Sequence, residues 1–270
     1  MKTKVALVLS SGGARGLAHI GVIRALEDAE MEITAVSGSS IGALIGGVYA
    51  MGKLDVYADW VRGMSKRKIW ELMDFTITTD GLVKGEKVFN KMREIIPDMD
   101  IEAMPLPFAA VATDLIHERE VVFRSGSYYE AVRASVAIPA VFKPVKQGNR
   151  ILVDGGVLNP VPIAHVDRSL ADILVAVNLY GPSKGFSEDS RRQKRQKLSM
   201  GYLSLLKHTA NAMIHRLAQT IIENHQPDIV VSIPHDLADT FAFHKAQALI
   251  DYGRRAGEQA LSAYFKTSQS

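Results

Sequence analysis

A serine framed by glycines lies where an apolar, strand-like run turns directly into a helix-like run of small residues. The pentapeptide Gly38-Ser39-Ser40-Ile41-Gly42 fits the pattern G-x-S-x-G, in which a strained strand-to-helix turn exposes the central hydroxyl. Residues two places before and after that serine approach closely, and glycine there avoids a Cβ clash. The spacing selects Ser40 as a candidate nucleophile. The alternative is a packing turn with bystander serines.

Strand-like and helix-like runs alternate along most of the chain. The pattern predicts strands within residues 5–10, 33–40, 108–115, 118–126, 150–156, 171–179 and 228–234, and helices within 17–31, 41–52, 55–97, 128–139, 198–224 and 242–265. This alternation, with continuously apolar strands, predicts an α/β fold: a three-layer α/β/α sandwich around a mostly parallel central sheet. Because no internal repeat or linker interrupts it, we expect one domain over residues 1–270.

The composition excludes several kinds of site and partner. The chain has no cysteine, which rules out disulfides and thiolate chemistry, and its eight histidines lack metal-ligand spacing. We therefore expect no metal or cofactor. Residues 184–197 carry six Lys/Arg and two Asp/Glu, a net of +4, which leaves −1 for the rest of a chain of net charge +3. The basic segment is expected to be a mobile loop, and nucleic acid is not an expected partner.

The N-terminal sequence is informative about the cellular location of the protein. Two lysines precede an apolar run, but that run, residues 5–9, is too short for the hydrophobic part of a secretion signal. Together with the absence of cysteine, this predicts a cytoplasmic protein.

A second glycine-rich loop, Ser11-Gly12-Gly13-Ala14-Arg15-Gly16, joins the first strand to the first helix. Consecutive small residues expose backbone N–H groups, which suits either a dinucleotide phosphate or the oxyanion of an acyl-transfer reaction. The dinucleotide fingerprint is incomplete because Ser11 replaces its first glycine and no acidic residue ends the second strand. An oxyanion hole explains both loops, since the carboxyl ends of neighbouring parallel strands face one crevice.

Two kinds of base are open for Ser40. Six histidines follow it in the chain: His165, His208, His215, His225, His235 and His244. Only His235 follows a strand, and only two strands precede the serine, whereas an α/β-hydrolase places several there. Asp154 ends an apolar strand before Gly155 and Gly156, whose turn would aim the carboxylate into the crevice. Burial would raise its pKa above about 3.9. Asp154 could also simply cap the turn.

These motifs together resemble the patatin-like phospholipases, most closely the compact bacterial members. The matching segments are SGGARGLAHIGVIRALE, GSSIG, ATDL, RASVAIPAVFKPV and DGGVLNPVP, in this order within residues 4–180, while residues 198–265 add C-terminal helices and a strand. The resemblance implies a serine acyl hydrolase in which Ser40 is the nucleophile and Asp154 the base, without a histidine. It implies acyl esters, including lipids, as substrates.

The resemblance also assigns the first glycine loop. The backbone N–H groups of Gly12, Gly13 and Ala14 would form the oxyanion hole, with Arg15 at the family's basic position. The remaining motif glycines are Gly16, Gly38, Gly42, Gly155 and Gly156. Ser11 departs from the family, which usually has glycine there, and this affects the geometry of the loop more than its chemistry.

Two further matching residues are expected to be structural. Asp114 would tie down a strand end, and Ser135 a helix segment beside the floor of the active site. The resemblance leaves open a catalytically weak or inactive regulatory binding module, and the histidines leave open a Ser-His-Asp esterase.

Residues 60–75 combine apolar and basic side chains. The apolar ones are Trp60, Ile69, Trp70, Leu72, Met73 and Phe75, and the basic ones are Lys66, Arg67 and Lys68. One interpretation is a lid or a patch in peripheral contact with a membrane. The other is a helix that packs into the core beside a solvated basic turn.

Overall fold

The structure, a computed structural model, describes residues 2–73, 85–183 and 202–268. The strands are β1 (Lys4–Leu9), β2 (Glu32–Ser39), β3 (Phe108–Asp114), β4 (Arg119–Phe123), β5 (Val145–Gln147), β6 (Arg150–Asp154), β7 (Ile173–Gly181) and β8 (Ile229–Pro234). The helices are α1 (Leu17–Asp28), α2 (Ile41–Ala50), α3 (Leu54–Arg62), α4 (Lys66–Met73), α5 (Glu86–Ile95), α6 (Tyr128–Ser135), α7 (Tyr202–His225) and α8 (Ala246–Ser268). The basic segment 184–197, Phe75 and the side chain of Met73 lie outside the described residues.

The strands form one sheet in the order β5-β6-β3-β2-β1-β7-β8, with β4 also paired to β3. Strands β1, β2, β3, β7 and β8 run parallel, and β4, β5 and β6 join antiparallel. Alternate side chains of β1 enter two apolar clusters: Val5, Leu7 and Leu9 join one, and Ala6 and Val8 the other. Helices therefore cover both faces, and the predicted α/β/α sandwich is confirmed. The sequence did not predict the three-residue strand β5.

The larger cluster joins the two ends of the chain. Helices α1 and α8 pack so closely that a Cβ on Gly21 would lie 1.9 Å from the Ile250 carbonyl oxygen. A Cβ on Gly253 would lie 2.0 Å from the Ala18 carbonyl oxygen. Both glycines are thus required by backbone contact, and the C-terminal helix covers the same core as α1.

One edge of β3 carries two strands end to end. Ala110 and Val111 pair with both β2 and β4, so those two strands lie on opposite edges of β3. The next three residues, from Ala112, pair with both β4 and β6, which places β6 on the edge that β2 occupies. Ser39 faces Val111, and Asp154 faces Ala112. Consecutive positions of β3 therefore bring together the ends of β2 and β6.

The helices of the described ranges include none with the length and apolar character needed to cross a bilayer.

Candidate active site

Ser40 occupies the sharp turn between β2 and α2. Its backbone has φ 56° and ψ −123°, a conformation that costs a non-glycine residue roughly 1–3 kcal/mol. A Cβ on Gly38 would lie 2.3 Å from the Gly42 carbonyl, and one on Gly42 would lie 2.1 Å from the Leu9 carbonyl oxygen. The two glycines are therefore in contact with each other and with β1, as the G-x-S-x-G spacing predicts.

Ser135 holds this turn in place. The Ser40 N–H donates to Ser135 Oγ at 2.8 Å, and Ser135 Oγ donates to the Val111 carbonyl at 2.6 Å. Ser135 therefore has a structural role, as predicted, and it fixes the backbone of Ser40 itself. Asp114 has the predicted role at the end of β3, where its carboxylate accepts from the Ile116 N–H and from His117 Nδ1.

Asp154 meets Ser40 across the end of β6. Ser40 Oγ donates to Asp154 Oδ2 at 2.5 Å, and Asp154 Oδ1 accepts from the Gly156 N–H at 2.8 Å. The two residues are only 3% and 6% exposed. Burial raises the pKa of Asp154 to about 6, although the hydrogen bonds from Ser40 and Gly156 oppose the rise. The carboxylate therefore both caps its own turn and receives the serine hydroxyl.

The glycine after Asp154 permits this approach. A Cβ on Gly155 would lie 2.1 Å from the Val111 carbonyl oxygen and 2.6 Å from Ser39 Oγ. Any larger residue would push the end of β6 away from β3.

The loop between β1 and α1 lies beside Ser40 and is tied to distant parts of the chain. Ser11 N–H donates to the Pro160 carbonyl at 2.9 Å, and Ser11 Oγ is hydrogen-bonded to the Tyr180 hydroxyl at 2.6 Å. Gly13 has φ 60°, which favours glycine. The serine that departs from the family pattern is thus accommodated by a specific partner, Tyr180.

The predicted contribution of Ala14 to an oxyanion hole requires correction. Its N–H donates to the Thr240 carbonyl at 2.9 Å and so already has a partner. Within the described residues, no hydrogen bond engages the N–H groups of Gly12 and Gly13. These two groups remain as candidate donors.

Arg15 and Gly16 fix the rest of the loop. Arg15 Nη1 makes a long 3.4 Å contact with the Ala238 carbonyl, and burial lowers the pKa of this guanidinium. A Cβ on Gly16 would lie 2.4 Å from the side chain of Ile41. The loop therefore presses directly against the start of α2.

His19, which contacts the backbone of Ser10, where this loop begins, was not identified from the sequence. This fully buried side chain donates from Nε2 to the Ser10 carbonyl at 2.9 Å, and burial lowers its pKa to about 4. The signal was available, since a histidine lies within the apolar pattern of the first helix.

An apolar cavity of about 110 Å³ opens beside Ser40 and Gly13. Helices α2 to α5 supply eight of the seventeen residues that line it, residues 136–142 and 240–243 supply six more, and Gly13, Ser40 and Met64 complete the walls. In the part of the chain that the structure describes, no charged residue and no histidine lines the cavity.

None of the six candidate histidines is among the described residues that line this cavity. His165 is hydrogen-bonded to Glu120 at 2.5 Å, and the rings of His215 and His235 lie in contact, tilted by 45° with centroids 5.3 Å apart. Across residues 2–73, 85–183 and 202–268, Ser40 Oγ bonds Asp154 and no histidine. Of the bases considered from the sequence, Asp154 is the one that the described structure brings within hydrogen-bond distance of Ser40 Oγ. The same ranges contain no group of three or more His, Cys, Asp or Glu side chains that could hold a metal ion.

Residues 7–167 match the model of a family described as patatin-like phospholipase. An uncharacterized NTE family protein of Mycobacterium tuberculosis is 44% identical over 187 residues, covering 69% of this chain and 52% of that protein. A lysophospholipase of Emericella nidulans is 33% identical over 182 residues, covering 65% of this chain and 12% of that protein. The chain thus spans about half the length of the mycobacterial relative.

A solved structure shares the fold. VipD from Legionella pneumophila aligns over 97% of this chain and 67% of its own, with a TM-score of 0.50 and 16% identity. At that identity the likeness concerns the fold alone.

The raised pKa of Asp154 predicts a pH-dependent stability. Between the ordinary value of 3.8 and about 6, the folded state holds a proton that the unfolded state has lost. The wild type therefore loses stability as pH rises through this window, by about 3 kcal/mol in all. Asp154→Asn removes the charge and should be more stable than wild type near pH 8, with the difference shrinking towards about pH 4.

Urea unfolding of both proteins at the two pH values measures this. Asp114→Asn is the control of opposite sign: burial opposes the shift, but the bonds from His117 and Ile116 lower the pKa of Asp114 overall. That variant should lose stability near pH 8. A stability difference between Asp154→Asn and wild type that does not change with pH would contradict the burial of an ionised carboxylate.

Proposed function

The chain belongs to the patatin-like phospholipase family, and from this premise we propose that it is a serine acyl hydrolase acting on lipid or related acyl esters. The observation that carries the proposal is the 2.5 Å hydrogen bond from Ser40 Oγ to Asp154 Oδ2 beside an apolar cavity. A nucleophile, a base within hydrogen-bond reach and a space for a hydrocarbon chain are the parts that such a reaction requires.

In the proposed first step, Asp154 takes the proton of Ser40 as Oγ attacks the ester carbonyl carbon. The electron pair of the carbonyl bond moves to oxygen, and the oxyanion is bound by the N–H groups of Gly12 and Gly13. The start of α2 adds its positive dipole end there. Each oxyanion donor contributes about 10²–10³ in rate.

Collapse of the intermediate breaks the bond to the alcohol, which leaves with the proton from Asp154. A water molecule then attacks the acyl-enzyme while Asp154 again accepts the proton. The acid is released, and Ser40 Oγ recovers its hydrogen.

The environment of Asp154 supports its proposed role as base. A carboxylate of ordinary pKa is a poor base for a hydroxyl, and a pKa nearer the working pH improves proton transfer. Burial raises the pKa of Asp154 to about 6, which leaves the group ionised at neutral pH and more basic than an exposed aspartate.

Substitution of the two residues tests the proposal. Ser40→Ala should abolish labelling by a fluorophosphonate probe and lower ester turnover by about 10⁴ or more. Asp154→Asn should lower turnover by about 10³ or more, because the proton of Ser40 then has no acceptor of sufficient basicity. Peptide mass spectrometry of the labelled protein locates the probe.

Ser39→Ala is the matched control, since Ser39 adjoins the turn and its buried Oγ has no hydrogen-bond partner in the described structure. This variant should keep both labelling and turnover. Persistent labelling of Ser40→Ala would refute the nucleophile. A folded wild type that neither labels nor turns over esters would favour a binding module without activity.

The pH profile of turnover follows from the same pKa. Protonated Asp154 cannot accept the serine proton, so kcat/KM should rise with pH through a midpoint of about 6 and level off above it. Hydrolysis of a soluble short-chain ester, followed from about pH 4.5 to 8, measures the profile. A rate independent of pH across this range would rule out Asp154 as the base.

We also propose that α4 contacts a lipid surface. Its residues Ile69 and Leu72 line the cavity, whereas Trp70 is 66% exposed. The basic residues Lys66 and Lys68 of the same helix are also exposed. Aromatic and basic side chains on one short helix suit the interface of an anionic membrane, while Ile69 and Leu72 support the interpretation of a helix that packs inward.

Flotation with liposomes tests this contact. The wild type should bind vesicles of phosphatidylcholine with phosphatidylserine more than phosphatidylcholine alone, and Trp70→Ala with Lys66→Glu and Lys68→Glu should weaken that binding. Lys53→Glu with Lys146→Glu, at two exposed positions outside α4, controls for the same change of charge. Equal binding by the triple variant and the wild type would place any membrane contact elsewhere.

A further inference from the structure

Residues 238–243, between β8 and α8, lie outside residues 7–167 that match the family model, yet they close the proposed active site. The Thr240 carbonyl accepts from the Ala14 N–H, and the Ala238 carbonyl receives the long contact from Arg15. A Cβ on Gly13 would lie 2.8 Å from Thr240 Cγ2. This segment is therefore fixed against the loop that offers the proposed oxyanion donors.

The same segment supplies aromatic side chains to the cavity. Phe241 and Phe243 both line it. Phe243 also packs against the main core. Both rings pack against the small cluster of Met64 and Ile69, which themselves line the cavity, and Phe241 is not among the residues packed on the main core. Phe241 thus follows Thr240, which touches the Gly13 loop, and packs against the cluster to which α4 contributes Ile69.

The space available is small. The cavity measures about 110 Å³, whereas an engineered cavity of roughly 150 Å³ holds one benzene molecule. A cavity of this size holds only a few methylenes, and Phe241 and the α4 residues Ile69 and Leu72 are among its walls.

We propose that Phe241 limits the site to short acyl chains, and that residues 238–243 determine chain-length specificity. This rests on the proposed acyl hydrolase function, since a chain whose carbonyl carbon lies at Ser40 Oγ has to run into this cavity. Replacing the ring by a smaller side chain creates space that further methylenes fill. Each buried methylene is worth about a fourfold gain in kcat/KM.

Hydrolysis of p-nitrophenyl esters from butyrate to palmitate, each below its micelle concentration, tests the proposal. Wild type should prefer the short esters. Phe241→Ala should raise kcat/KM for dodecanoate relative to butyrate by about tenfold or more, and Phe241→Trp should shift the preference to still shorter chains. Phe265→Ala, which removes a 40% exposed phenylalanine on α8, should leave the profile unchanged.

A profile of Phe241→Ala parallel to that of wild type, or a uniform loss at all lengths, would overturn the proposal. Phe241→Leu serves if the alanine variant does not fold, and should shift the preference in the same direction. If the wild type hydrolyses no ester, the proposed acyl hydrolase function is refuted, and this result is distinct from a failure of the chain-length proposal. Calorimetric measurement of the binding of fatty acids from butyrate to palmitate then tests whether Phe241 limits chain length, since Phe241→Ala should gain affinity for the longer acids alone.

Discussion

The contact between Ser40 and Asp154 depends on the carbonyl group of one residue, Val111. This carbonyl accepts the hydroxyl of Ser135, whose oxygen in turn receives the Ser40 N–H. A Cβ on Gly155 would lie only 2.1 Å from the same carbonyl oxygen, so the approach of Gly155 requires glycine. Both halves of the proposed dyad are thus positioned from the same backbone atom, and a shift of β3 would move them together.

The site holds features that cost free energy of folding. Ser40 adopts a strained backbone conformation, and burial opposes the charge on Asp154. Stabilisation comes from the surrounding apolar core and from the close packing of α1 against α8 at Gly21 and Gly253. Strain at a functional site persists only where its surroundings over-determine the conformation, and two layers of helices on a central sheet provide such surroundings.

Much of the site could be predicted from sequence because close backbone contacts require glycine at the positions that make them. Gly38, Gly42 and Gly155 each stand where a Cβ would meet a carbonyl group, and the spacing of these residues is legible without a structure. The wrong assignment of Ala14 had no such signal. Its partner is the backbone carbonyl of Thr240, a group that every residue carries, so no residue type marks the contact.

The antiparallel pairing of β6 with β3 could not be predicted from sequence for a related reason. An apolar strand followed by Asp154 and two glycines has the same appearance in a parallel or an antiparallel strand, and only the pairing with Ala112 decides. The cavity was equally out of reach, since its walls come from six separate parts of the chain. Local rules identify residues whose neighbours are close in sequence, whereas register and cavity shape require tertiary contacts.

The residues proposed for the chemistry and those proposed for substrate choice lie in different parts of this chain. Ser40, Asp154 and the Gly12–Gly13 donors all fall within the residues that match the family model, whereas Thr240 and Phe241 lie beyond it. The bond from the Ala14 N–H to the Thr240 carbonyl joins the two parts. Because this bond is made by backbone atoms, side chains of the C-terminal segment can change without disturbing the proposed oxyanion loop. A cavity wall built on such a segment can therefore vary in shape while the geometry around Ser40 is preserved.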